Sequence, residues 1–104
     1  MSGGTLEKLY RDVGALKELN VNRFAHQMIS GIAYLHEKSI IHLDIKASNV
    51  LIAEDASTVK LVDFGEAGTK QELAYRTRRK VGSPQWMAPE RLREEDFDFK
   101  NDIW

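Results

Sequence analysis

Apolar residues recur along residues 24–35 with the spacing of one helical face. Successive members lie four, four and three positions apart, which puts them on one side of an α-helix. These residues are Phe24, Met28, Ile32 and Leu35, and Ala25 and Ile29 widen the same face. The pattern predicts an amphipathic helix over about residues 21–37, with Asn20 or Asn22 as its N-terminal cap.

Shorter apolar groups lie on either side of this predicted helix. The group before it consists of Leu6, Leu9 and Tyr10. It indicates a short helix that Gly14 interrupts. After the long helix, the apolar runs at residues 50–52 and 59–62 are separated by a polar stretch, which predicts a β-hairpin. Residues 65–89 show no periodicity, and an irregular stretch of that length in a compact domain is usually functional.

Composition and charge narrow the class of protein. A chain of 104 residues with 42% hydrophobic and 30% charged residues has the balance of one soluble globular domain, or of part of one. Its net charge of −1 gives no overall attraction to nucleic acid or anionic membranes, so the basic run at residues 76–80 is interpreted as a solvated loop. The absence of cysteine excludes disulfides, thiolate zinc sites and a cysteine nucleophile. We therefore expect no nucleic-acid partner, no membrane partner and a cytoplasmic location, with the nucleus as the alternative.

Three short motifs stand in the loops beside the predicted elements. Residues 42–49 read H-L-D-I-K-A-S-N, residues 63–65 read D-F-G, and residues 88–90 read A-P-E. In these motifs the chain resembles the protein kinase family, whose motif set is H-R-D-L-x-x-x-N, D-F-G and A-P-E in that order. Nine fixed positions agree, and at about 1 in 20 for each position, agreement by chance is on the order of 10⁻¹².

The residue types in these motifs suit phosphoryl transfer. That reaction needs a carboxylate near the attacking hydroxyl, oxygen ligands for Mg²⁺ and a cation near the γ-phosphate of ATP, because catalysis is mostly positioning and charge stabilisation. The resemblance implies that Asp44 accepts or orients the proton of the substrate hydroxyl and that Lys46 steadies the γ-phosphate. It also implies that Asn49 and Asp63 hold Mg²⁺ through hard oxygen ligands.

Other positions take their expected roles from the resemblance alone. Leu51 would form the floor of the adenine pocket, and Ser83 would contact the protein substrate. His42 and Phe64 resemble the internal pair that packs the D-F-G segment, and Asp102 resembles the buried aspartate that tethers the catalytic loop. The remaining histidines, His26 and His36, are expected to lie on the long helix without partners and are given no role.

Two local features favour serine or threonine over tyrosine as the acceptor. Lys46, two residues after Asp44, and the stretch at residues 82–90 both resemble the serine/threonine branch. The stretch at residues 82–90 most resembles the mitogen-activated-kinase-kinase-kinase and tyrosine-kinase-like groups.

Two residues depart from the family motif. Leu43 stands where the motif has an arginine, so the cation that pairs with a phosphorylated activation loop is missing, and Glu66 adds a carboxylate after D-F-G.

The expected fold is α+β, the front of a kinase large lobe with two helices, a catalytic loop, a β-hairpin and an activation segment. Residues 1–104 would form a partial kinase domain from the hinge-proximal segment to the start of the central large-lobe helix, without the small lobe and the C-terminal helices. No G-x-G-x-x-G or V-A-I-K motif is present, so these residues alone are expected to be inactive.

The predicted parent function is transfer of the γ-phosphoryl of ATP, with Mg²⁺, to serine or threonine of a protein substrate. The alternative is a pseudokinase or a partner-docking module without catalysis. Loss of any one motif residue would favour the alternative, and all four are retained: Asp44, Lys46, Asn49 and Asp63.

Overall fold

A computed structural model describes residues 3–75, 84–93 and 98–104 of the chain. These residues form α-helices, short 3₁₀ turns and two small antiparallel sheets, in keeping with an α+β fold. The helices are α1 (Leu6–Val13), α2 (Glu18–Glu37), α3 (Lys70–Tyr75) and α4 (Pro89–Leu92), and the strands are β1 (Ile40–Ile41), β2 (Val50–Ile52), β3 (Val59–Leu61) and β4 (Gly68–Thr69). None of the helices in these ranges is long and apolar enough to span a membrane.

The chain divides into two compact units. The first unit comprises Met1–Gly31 and Lys46–Val62, and the second comprises Ile32–Ile45 and Asp63–Trp104. Each unit has its own cluster of buried apolar side chains among the described residues. The catalytic-loop motif at residues 42–49 therefore contributes to both units.

Helix α1 confirms the short helix predicted before the long one. Thr5 caps its N-terminus, and the Thr5 Oγ1 accepts a hydrogen bond from the Lys8 N–H at 3.1 Å. Gly14 ends the helix with a positive φ of 74°, which a residue without Cβ adopts freely. Its N–H donates to the Tyr10 carbonyl at 2.8 Å, so a carbonyl of the last turn is satisfied.

Helix α2 confirms the long helix but begins at Glu18, about three residues before the predicted start. Asn20 and Asn22 thus lie inside the helix, and the prediction that one of them caps it is wrong. The predicted apolar face is buried at Phe24, Ile32 and Leu35 and half-buried at Met28. The prediction that the face widens to Ala25 and Ile29 is also wrong, because both are exposed.

The first unit is built on the predicted β-hairpin. Strands β2 and β3 pair antiparallel, with Val50 opposite Leu61 and Ile52 opposite Val59. Side chains alternate along a strand, so Val50 and Ile52 point to one face and join Phe24 in the core. The partly buried residues packed against this core are Leu6, Leu9, Leu16, Met28, Ala56 and Leu61.

The second unit contains elements that the sequence pattern did not predict. Strand β4 pairs antiparallel with β1, and α3 follows at once, in a stretch expected to be irregular. The two-helix prediction is therefore incomplete, since α3 and α4 are also helical. Ile41, Leu43 and Leu73 form the buried cluster of this unit, and Phe99 packs against it.

Candidate active site

The site begins with a buried carboxylate in the second unit. Asp102 lies in a 3₁₀ turn, Phe99–Asp102, and its side chain is fully buried. The Asp102 Oδ2 accepts a hydrogen bond from the His42 N–H at 2.8 Å, and the Oδ1 accepts one from the Leu43 N–H at 3.0 Å. The tether expected of Asp102 is therefore present, and it fixes the backbone at the start of the catalytic loop.

His42 connects this tether to Asp44 and to the D-F-G segment. The ring is completely buried, and its Nδ1 accepts a hydrogen bond from the Asp44 N–H at 3.1 Å. The Phe64 ring lies against it with a centroid separation of 5.1 Å and a tilt of 60°. The expected packing pair is therefore present. His42 fixes the backbone of Asp44, the residue expected to act on the substrate hydroxyl.

Asp44 is half-buried, and the buried guanidinium of Arg91 contacts the residue that precedes it. Arg91, on α4, donates a hydrogen bond from its NH1 to the Leu43 carbonyl at 3.3 Å. Burial lowers the pKa of Arg91, and negative charges, first Glu66 and then Asp44, oppose that shift. Sequence reasoning missed Arg91, because an arginine on a short helix gives no signal that it is buried.

Asp63 occupies an exposed position with an unusual backbone. Its φ is 60°, in the left-handed region, which aspartate adopts more readily than most residues. The Asp63 Oδ1 accepts a hydrogen bond from the Gly65 N–H at 3.3 Å, as in an Asx turn. An exposed carboxylate held in this way is accessible to a hard cation, so its chemistry fits the Mg²⁺ role expected of it.

Lys46, Asn49 and Leu51 belong to the first unit. The Lys46 carbonyl accepts a hydrogen bond from the Asn49 N–H at 2.9 Å, and this closes the 3₁₀ turn Ala47–Asn49. Asn49 is buried, and its carbonyl accepts from the Val62 N–H at 2.9 Å. Leu51 is half-buried on β2, on the opposite face from Val50 and Ile52.

The predicted site residues are thus divided between the two units. Asp44 and Asp63 lie in the second unit, and Ser83 lies outside the described residues. Within residues 3–75, 84–93 and 98–104, no group of three or more His, Cys, Asp or Glu side chains is arranged to hold a metal ion. The predicted Mg²⁺ ligands are an amide, Asn49, in the first unit and a carboxylate, Asp63, in the second, and each offers the hard oxygen atoms that Mg²⁺ prefers.

The prediction that His36 has no partner is wrong. Its Nε2 lies 2.9 Å from the Asp102 Oδ2, and its ring packs on Phe99 with centroids 5.0 Å apart. The contact joins residues 66 positions apart, a separation that periodicity along one helix cannot reveal. His26 is exposed, as its position on the outer face of α2 requires.

Known proteins match this chain along its whole length. A sequence profile of the protein kinase domain matches residues 1–104. The probable serine/threonine-protein kinase mkcF of Dictyostelium discoideum is 40% identical over 109 residues, which cover 100% of this chain and 15% of that protein. The serine/threonine-protein kinase sid1 of Schizosaccharomyces pombe is 38% identical, with 100% of this chain and 22% of that protein covered.

A plant protein gives a similar result. Mitogen-activated protein kinase kinase kinase 3 of Arabidopsis thaliana is 38% identical over 106 residues, which cover 100% of this chain and 17% of that protein. The chain therefore spans less than a quarter of the length of each of these three relatives.

Proposed function

Because this chain belongs to the protein kinase family, we propose that the protein transfers the γ-phosphoryl group of ATP to serine or threonine hydroxyls of a protein substrate. The observation that carries the proposal is the tethered catalytic loop. Two backbone N–H groups are fixed on the buried Asp102, and the next N–H, that of Asp44, is fixed on His42. A carboxylate mounted on backbone held this firmly has the preorganisation that phosphoryl transfer requires.

In the proposed reaction the substrate oxygen forms a bond to the γ-phosphorus while the bond to the bridging β–γ oxygen breaks, and ADP leaves. Asp44 accepts or orients the hydroxyl proton, and Lys46 balances charge on the γ-phosphate. Asn49 and Asp63 are the proposed Mg²⁺ ligands, and the cation, when bound, would neutralise phosphate charge. Leu51 lies beneath the adenine and Ser83 beside the substrate in this proposal.

The preference for serine and threonine has two supports. The relatives from slime mould and fission yeast are named serine/threonine-protein kinases. Lys46 stands two residues after Asp44, the arrangement that resembles this branch of the family.

We extend the proposal to a cytoplasmic location, with the nucleus as the alternative. Fluorescence microscopy of the tagged full-length protein in cells tests this location.

A second candidate function is partner docking without catalysis. The feature in its favour is the pair of departures at Leu43 and Glu66, which change the charge around the catalytic loop. Against it stands the retention of every motif residue whose side chain would handle phosphate, metal or the substrate proton.

The test measures transfer of labelled γ-phosphate by the full-length protein to peptides that contain serine, threonine or tyrosine. We expect the wild type to label serine and threonine peptides, and Asp44→Asn to lower the rate about 10²–10⁴-fold, the usual contribution of a general acid–base group. Asp12→Asn is the matched control, because Asp12 is exposed and pairs with Lys8 on α1. A wild type that binds protein partners but labels no peptide would support the docking function instead.

A further inference from the structure

We propose that His36 is a positioning residue for the catalytic loop and that it acts through Asp102. The proposal rests on the proposed phosphoryl transfer, and it adds a residue to which the sequence motifs assign no role. His36 lies in the last turn of α2, six residues before His42. It would hold the Asp102 carboxylate in the orientation that receives the two loop N–H groups.

The hydrogen bonds around Asp102 are the first support. The Oδ2 atom lies 2.8 Å from the His42 nitrogen and 2.9 Å from the His36 Nε2, so one oxygen is shared by a loop donor and a helix donor. Because a carboxylate oxygen accepts, the proton of this contact lies on the His36 Nε2. A fully buried carboxylate is stable only when donors replace the water it has lost, and His36 is such a donor from outside the loop.

The contact between His36 and Phe99 is the second support. Phe99 begins the 3₁₀ turn that Asp102 ends, and the His36 ring packs on it with a 59° tilt. His36 therefore contacts the turn at both ends, once through the ring and once through Nε2. Rotation of the turn that moved Asp102 would disrupt both contacts, so the orientation of the carboxylate depends on His36.

The orientation of the Asp102 carboxylate affects Asp44 through the backbone of the loop. Leu43 has φ of 72°, a conformation that a branched side chain adopts only when its surroundings hold it there. The Asp102 Oδ1 supplies part of that hold, and the adjoining Asp44 N–H is fixed on the His42 ring. A rotated Asp102 would release the Leu43 backbone, and a shift of about 1 Å in a catalytic group can reduce the rate about 100-fold.

The experiment separates the hydrogen bond of His36 from the packing of its ring. His36→Phe keeps a ring against Phe99 and removes the donor, whereas His36→Gln keeps an N–H at similar reach and removes the ring. His36→Asn is a second disrupting variant, because its shorter amide does not reach the Asp102 carboxylate. His26→Phe and His26→Gln are matched controls at an exposed position on the same helix.

Two readouts are measured on the full-length protein. The first is kcat with KM for ATP and for a peptide, and the second is hydrogen exchange of the segment that contains the His42 and Leu43 amides. We expect His36→Phe and His36→Asn to lower kcat roughly tenfold or more, with KM within about twofold, and to speed exchange in that segment. His36→Gln should stay within about threefold of the wild-type kcat, and both His26 variants should match the wild type.

The outcomes that overturn the proposal are distinct. Wild-type kcat and exchange in His36→Phe would show that ring packing alone is sufficient. Equal losses in His36→Phe and His36→Gln would show that an N–H donor at this position does not hold the carboxylate. If His36→Phe does not fold, the comparison of His36→Asn with His36→Gln decides in the same way. If the wild type transfers no phosphate, the proposed function fails, and exchange still decides the positioning: faster exchange in His36→Asn than in His36→Gln supports it, and equal exchange overturns it.

Discussion

Leu43 combines a strained backbone with two polar partners that are both buried. Its N–H donates to the Asp102 Oδ1, and its carbonyl accepts from the Arg91 guanidinium at 3.3 Å. A non-glycine residue in the left-handed region usually raises the energy by about 1–3 kcal/mol, so these two contacts help to retain the conformation. The motif position that lacks an arginine is therefore held by an arginine from α4.

Asp55 offers a pH prediction at the scale of one residue. Its Oδ1 accepts hydrogen bonds from the Ser57 Oγ at 2.7 Å and the Ser57 N–H at 3.0 Å. These bonds lower the pKa of Asp55, chiefly through the hydroxyl, because they favour the charged form. A lowered pKa makes its contribution to stability complete above the unfolded pKa of about 3.9, and that contribution is lost as the pH falls through the folded value.

We expect Ser57→Ala to raise the titration midpoint of the Asp55 carboxyl toward the ordinary value, as measured by carbon NMR. Ser30→Ala is the control, since the Ser30 hydroxyl donates to the His26 carbonyl within α2 and does not contact Asp55. An unchanged midpoint in Ser57→Ala would contradict the assignment.

Single residues differ in how far the sequence predicts them. The contacts of Asp102 and of the His42–Phe64 pair could be anticipated, because they follow motif positions that the chain shares with the kinase family. The contacts of His36 and Arg91 could not be anticipated, since their partners lie 66 and 48 positions away and neither side chain lies in a recognised motif.

At the scale of elements, Gln27 joins α2 to the β2–β3 hairpin. Its Nε2 donates to the Ser57 carbonyl at 2.9 Å, and its Oε1 accepts from the Val59 N–H at 2.7 Å. One side-chain amide thus satisfies two backbone groups at the turn. Gln27→Ala leaves both without this partner, so we expect the free energy of unfolding to fall by about 1–3 kcal/mol.

Denaturant unfolding measures this change, and hydrogen exchange at residues 57–59 shows whether the loss is local. Gln71→Ala on α3 is the matched control, because Gln71 is exposed. Equal midpoints for Gln27→Ala and the wild type would show that water replaces the amide without loss.

Periodicity predicted the elements that carry their own pattern and missed those that depend on a partner. Helix α1 and the hairpin have clear apolar spacing, whereas β4 has two residues and exists through pairing with β1. Helix α3 did offer a local signal. The Glu72 N–H donates to the Thr69 Oγ1 while the Thr69 N–H donates to the Glu72 Oε2, the reciprocal bonds of a capping box, and the T-x-x-E spacing is visible in the sequence.

For the whole molecule, the sequence predicted the class of chemistry better than its arrangement. Motif order was enough to indicate the kinase family, because nine positions rarely agree by chance. The division of the catalytic-loop motif between two units, with Asp44 in one and Lys46 in the other, has no counterpart in the linear pattern. Motif order along a chain indicates the family and the candidate reacting groups, whereas packing shows which backbone groups hold them.

The last prediction concerns the dependence of the whole protein on Mg²⁺. If Asp63 binds the cation, excess EDTA should stop phosphoryl transfer and added Mg²⁺ should restore it. Asp63→Asn should fold normally, because asparagine also tolerates a φ of 60° and its amide oxygen can accept the Gly65 N–H. A neutral amide is a weaker Mg²⁺ ligand than a carboxylate, so we expect transfer to fall at least about 100-fold.

Rates measured against Mg²⁺ concentration separate this role from that of Asp44. Raising Mg²⁺ should recover part of the Asp63→Asn rate, because mass action offsets weaker binding. The same addition should leave the Asp44→Asn rate unchanged, since the role proposed for Asp44 is to accept or orient the substrate proton. A thermal unfolding curve for each variant is the control for folding. Wild-type turnover in a normally melting Asp63→Asn protein would mean that other ligands hold the cation, and the role given to this carboxylate would be wrong.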